Sequence, residues 1–158
     1  MKLTKKNIDG RLILAMEADK TVKFVTNGRW AVDIAFIDPK QIAAIRGGVD
    51  TAAALLGMKP GVMNDGGVHD MPAQNVRAIV ESQIKNASGE GKGFKEFIRT
   101  PWIYTDGRTE AYKYESSDGE PLFLNRAYVD GWLFYSKTCY AVDGISPAFM
   151  GASPGEDK

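Results

Sequence analysis

Residues 95–125 read KEFIRTPWIYTDGRTEAYKYESSDGEPLFLN. Three runs rich in aromatic and β-branched residues are separated by Asp106-Gly107 and by Ser116-Ser117-Asp118-Gly119-Glu120, both of which carry the side chains that tight turns require. The spacing predicts an antiparallel meander of three strands. Downstream, Asn125 is placed to cap a short helix through Tyr128 and Trp132, interrupted by Gly131. The runs TCYAV and ISPAFM, on either side of Asp143-Gly144, then predict a closing hairpin-like pair.

Upstream, TVKFVTNGRWAVDIAFI (21–37) holds Asn27-Gly28, two residues that tolerate positive φ at the centre of a type I′ turn. On the return strand Trp30, Val32, Ile34 and Phe36 share one face at period two, which predicts that this face is core. Ile8, Leu12 and Met16 recur every four residues, so 7–18 reads as an amphipathic helix capped by Asn7, with a short leading strand at Lys2 to Thr4. Asp38-Pro39 opens a helix through QIAAIR that is stopped by Gly47-Gly48, and Asp50 caps a second helix, TAAALLGM. GVMNDGGVHDMP (61–72) reads as a loop and residues 73–86 as a helix carrying Val76, Val80 and Ile84. ASGEGKG then reads as a flexible loop. The result is an α+β chain with its one domain over 1–150, a helical and loop insertion at 38–93 and a disordered tail at 151–158.

The proportions of 44% hydrophobic and 25% charged residues are those of a globular protein. No apolar run reaches the roughly 18 to 20 residues of a membrane span, and MKLTKKNIDGRL lacks the apolar stretch of a secretory signal. One cysteine, Cys139, makes no internal disulfide and no multi-thiolate metal site. A cytoplasmic location with no membrane is therefore expected, with no cofactor and no metal. Twenty basic and twenty acidic residues cancel, which excludes a broad positive field over the whole surface. Residues 1–37 nevertheless carry seven basic against four acidic side chains, and 119–158 three against five.

Candidate chemistry is sparse. His69 lies among Asn64, Asp65 and Asp70, and a histidine near carboxylates serves as a metal ligand or base. Neither an EF-hand spacing nor a paired-histidine motif accompanies it, and the bland reading is an exposed loop residue. Cys139 sits on an inferred strand, where a thiol is usually a small buried hydrophobe. The glycine-rich stretches match no phosphate loop. GEGKGFKEFIR brings Lys92, Lys95 and Arg99 beside Phe94 and Phe97, side chains that could contact phosphates and stack bases, although a strand whose aromatics enter the core accounts for them as well. Trp102 and Tyr104, beside Pro101 on an inferred edge strand, are the candidate partner-binding anchors, because exposed aromatics dominate interaction hot spots.

The two ends of the chain can be overlaid. MKLT, a helix opening near Asn7 and KTVKFVTNG align with PLFLN, a helix opening at Asn125 and KTCYAVDG, each giving strand, helix, strand, turn and strand. This duplicated unit, at residues 1–37 and 119–150, resembles the half-domain of the DNA sliding clamp: FVTNGRWAV looks like the clamp strand with its Thr-Asp-Gly turn, and LFLNRAYVDGWL like its Asn-x-x-Tyr-Leu helix entry. The resemblance implies an oligomer of single-domain subunits joined edge to edge, with DNA faced by Lys5, Lys6 and Arg11. The short, turn-rich chain also has the character of small bacteriophage accessory proteins. With no catalytic constellation present, the expectation is a non-enzymatic interaction protein with a protein partner or homo-oligomer, and DNA as a further partner. The alternatives are an inhibitor of one host protein and a small metal-dependent hydrolase using His69.

Overall fold

The computed structural model describes residues 1–8, 12–46, 68–88, 93–132 and 137–150, apart from the side chains of residues 5, 45, 46, 68 and 69. The chain is α+β and clusters into two compact units, Met1–Ala78 and Ile79–Lys158. No described helix is long and apolar enough to cross a membrane.

The first unit is built on a four-stranded sheet. Its strands are β1 (Leu12–Met16), β2 (Val22–Thr26), β3 (Ala31–Asp33) and β4 (Val68–Pro72), ordered β3-β2-β1-β4. β2 is antiparallel to both β1 and β3, whereas β4 runs parallel to β1 with Leu12 opposite Val68. Of the helix expected over 7–18, the described residues show only the end of a single turn, α1 (Lys5–Ile8), and a strand from Leu12. Beyond it, LILAM is the inner strand, with Leu12, Leu14 and Ala15 buried. A five-residue apolar run flanked by two strands satisfies its backbone in the sheet, and the spacing of four that suggests a helix is incidental to it.

Thr4 rather than Asn7 opens α1. The Thr4 amide donates to Asn7 Oδ1 at 2.8 Å and the Asn7 amide donates to Thr4 Oγ1 at 3.3 Å, a reciprocal capping box. Asn7 is fully buried and its main-chain carbonyl receives the Trp30 indole N–H at 2.7 Å. No strand forms at Lys2 to Thr4. The Gln41 side-chain amide instead bonds both the amide and the carbonyl of Leu3 at 3.0 Å, doing what a neighbouring strand would do.

The hairpin at Asn27 is present with its turn shifted by one residue. Thr26 pairs with Ala31 and the Asn27 amide donates to the Trp30 carbonyl, so the loop is Gly28-Arg29. Gly28 carries the positive φ, 94°, and Asn27 does not. Asn27 Oδ1 accepts from the amides of Arg29 and Trp30. Glycine at the first central position belongs to the II′ turn rather than the expected I′. The predicted alternation on the return strand stops at Asp33, whose carboxylate accepts the Ala35 amide and starts a 3₁₀ turn over Ile34–Phe36 that leaves Phe36 exposed.

Helix α2 (Pro39–Arg46) follows Asp38 as expected, with Asp38 Oδ1 accepting the Lys40 amide. The expected Gly47-Gly48 stop and the TAAALLGM helix lie outside the described residues. Within the segment read as a loop, Val68–Pro72 is β4, so part of the stretch read as an insertion is integral to the first sheet. Helix α3 (Ala73–Ala87) forms where predicted. Its buried residues are Ala73, Val76 and Gln83, while Ile84 faces solvent, so the buried stripe departs from Val76, Val80 and Ile84 after its first turns. Glu17 and Arg77 form a two-pronged ion pair between the end of β1 and α3.

The second unit is a five-stranded antiparallel sheet. Its strands are β5 (Lys95–Thr105), β6 (Glu110–Ser116), β7 (Pro121–Asn125), β8 (Thr138–Ala141) and β9 (Phe149–Met150), ordered β7-β6-β5-β8-β9. The predicted meander is present, its turns marked by positive φ at Gly107 and Gly119. Asn125 caps α4 (Arg126–Asp130) by accepting the Ala127 amide at 2.9 Å. Phe97, Tyr114, Leu122, Cys139 and Ala141 form the core on one face.

The two overlaid segments differ in their described elements. Near the start the order is helix, strand, strand, strand; near the end it is strand, helix, strand, strand, with β6 and β5 lying between β7 and β8.

Candidate protein-binding surface

The candidate site grows out of an irregularity in β5. Register pairs Arg99 with Tyr114 and Ile103 with Tyr112, so β5 advances four residues while β6 advances two. Two extra residues must leave the plane of the ladder. Thr100 holds the bulge from within: its hydroxyl donates to the Lys113 carbonyl at 2.8 Å and accepts the Trp102 amide at 3.3 Å. Pro101 contributes no N–H, which suits a strand edge. Trp102 emerges with 63% of its surface exposed.

Register also sorts the two faces of the sheet. Phe97, Tyr114, Leu122 and Cys139 point to the core, and Ile98 and Tyr104 of β5 and Phe123 of β7 point the other way. Ile98 is 54% exposed, Phe123 50% and Tyr104 47%. The Tyr104 and Phe123 rings meet edge to face, with centroids 5.3 Å apart and planes at 83°, the arrangement aromatic quadrupoles favour. Ile103, on the core-facing register, is exposed too. β8 pairs with β5 only from Lys95 to Ile98. Among the described residues, Thr100–Thr105 therefore has a strand neighbour on one side alone.

The opposite face is braced by charge. The Arg99 guanidinium lies 4.7 Å from the Tyr112 ring centroid and that of Arg126 5.7 Å, both cation–π contacts. The Tyr112 hydroxyl donates to Asp130 at 2.6 Å, and Arg126 pairs with Glu110 at 3.0 Å and with Asp130 at 3.4 Å. Burial, followed by the hydrogen bond to Asp130, raises the Tyr112 hydroxyl above the usual phenol range. These contacts hold the hairpin against α4, so the aromatics are carried on a supported strand and not on a free loop.

Trp102 and Tyr104 were legible as candidate anchors, and the structure exposes both. Ile98, Ile103 and Phe123 were not singled out. A signal existed for Phe123: in PLFLN the neighbours Leu122 and Leu124 share one face, so a third apolar residue between them must face the other.

Of the candidate nucleic-acid residues, two lie on one turn of the first unit and one in the second unit. Lys6 lies on α1 and is exposed, and residue 5 is in the same turn. Arg11 and Lys92 lie outside the described residues. Lys95 is engaged at the start of β5, 2.7 Å from Glu120 and 3.1 Å from Asp118. These partners, Glu120 foremost, raise its ammonium above the usual lysine range. Asp118, which accepts the Ser116 hydroxyl and pairs with Lys95, is lowered to about 2. Glu120 is lowered by Lys95 and then by the Gly144 amide, which it accepts at 3.0 Å. Phe97, read as a base-stacking candidate or a core residue, is fully buried.

His69 is on β4, opposite Ile13, where a loop had been expected. Cys139 is fully buried, and burial pushes its thiol up to about 12. It packs as an inert small hydrophobe, since the nucleophile would be the thiolate. Among the described residues, no three His, Cys, Asp or Glu side chains converge as a metal site requires.

No protein-family model matches the sequence, and neither a curated protein nor a solved structure gives a significant match.

Proposed function

We propose that the chain is a non-enzymatic protein-binding module that docks a protein partner on Trp102, Tyr104, Phe123 and Ile98. The observation that supports this reading is the exposure of four large apolar side chains on one sheet, with the rings of Tyr104 and Phe123 in contact. An exposed apolar side chain forgoes part of the about 1.5 to 3 kcal/mol that full burial would give, and exposed apolar residues that include a packed aromatic pair suit an interaction surface better than single scattered ones. Rigid aromatics on a braced hairpin lose little rotamer freedom on docking, which suits them as anchors.

Net charge favours a protein partner over a nucleic acid for this unit. Residues 79–158 contain nine basic and twelve acidic side chains, a net of three negative, whereas residues 1–78 contain eleven basic and eight acidic, a net of three positive. A net-negative unit offers a polyanion no long-range attraction.

The test compares capture by the immobilised wild-type chain with capture by the Trp102→Ala, Phe123→Ala and Lys6→Ala variants, using lysate from the cell that naturally makes the protein. The expected result is one stoichiometric protein held by wild type and Lys6→Ala and lost from the other two. Equal capture by all four, or none by wild type, would overturn the reading.

A second reading is supported by the positive excess of the first unit and exposed Lys6: clamp-like association of several copies with DNA. Light scattering after size exclusion, at two salt concentrations with and without a short duplex, tests it. A multimer that binds the duplex at low salt supports it, and a DNA-indifferent monomer removes it.

A further inference from the structure

We draw no further inference here: the strongest candidate, the open edge of β5 over Thr100–Thr105 beside Trp102 and Tyr104, belongs to the surface already described, and nothing in the structure shows which partner strand or second copy would cover it.

Discussion

Phe97 and Trp102 stand five residues apart on one strand, yet Phe97 is fully buried and Trp102 has 63% of its surface in solvent. Both are aromatic residues with strong strand preference. They differ in their surroundings: Phe97 lies between Ser116 of β6 and Cys139 of β8, whereas Trp102 follows a bulge with β6 as its one described strand neighbour. The first half of β5 supplies core to the second unit, and the second half carries exposed apolar side chains. Side-chain chemistry alone does not decide which residue is core and which is exposed. The extent of the neighbouring strands does.

The contrast breaks most sharply at Phe97. Phe97→Ala should cost about 3 to 5 kcal/mol of unfolding free energy, the usual range for deleting a buried aromatic. Urea denaturation followed by circular dichroism measures it, and a loss below about 1 kcal/mol would mean the first half of β5 is not the core of the second unit. Gly144→Ala should come next, at about 1 to 3 kcal/mol. A Cβ there would run into the carbonyl oxygen of Pro121, which is backbone and cannot swing aside. An unchanged urea midpoint would show that the loop between β8 and β9 does not approach β7 so closely.

A smaller effect is expected from acid. Asp118 has a folded pKa of about 2, below its unfolded value of about 4. Its contribution to stability is therefore full above the unfolded value and disappears as pH falls through the folded one. Asp118→Asn should lower the urea midpoint at pH 6 and lower it less near pH 2, where about half of the folded-state carboxylate is already protonated. A gap of the same size at pH 2 as at pH 6 would assign the effect to packing instead of charge. The smallest change in stability belongs to Trp102→Ala, within about 0.5 kcal/mol of wild type. The same variant should weaken the proposed partner by about 2 kcal/mol, roughly thirtyfold, when titrated calorimetrically. Large destabilisation by Trp102→Ala would make the tryptophan structural and erase the distinction between the halves of β5.

What could be read from sequence follows the reach of each interaction. The meander over 95–125 was legible because its turns are local and carry their own chemistry: Gly107 and Gly119 adopt the positive φ that those positions suggest. The Asn125 cap was legible for the same reason. β4 was not, since VHDMP has no strand periodicity of its own and pairs with a segment far away in the chain. β1 was misread because LILAM fits a helical spacing as well as a buried strand, and only the partners on both sides decide between them. At the candidate surface, Pro101 beside Trp102 announced an edge. Alternation gives the relative faces of Ile98, Tyr104 and Phe123 but not which face is covered, so these side chains became a group only once the sheet was assembled.

The parallel pairing of β1 with β4 has a kinetic consequence. Joining Leu12 to Val68 closes a loop of more than fifty residues, whereas every pairing in the β5-β6-β7 meander joins strands separated by a short turn. Loop closure must be completed before distant contacts return any stability, and folding slows as contacting residues lie further apart in the chain. From denaturant, the meander is expected to form first and the first sheet to lag. On the ribosome the order is contested, because β1 through β4 emerge before β5 has been made and have that interval in which to close.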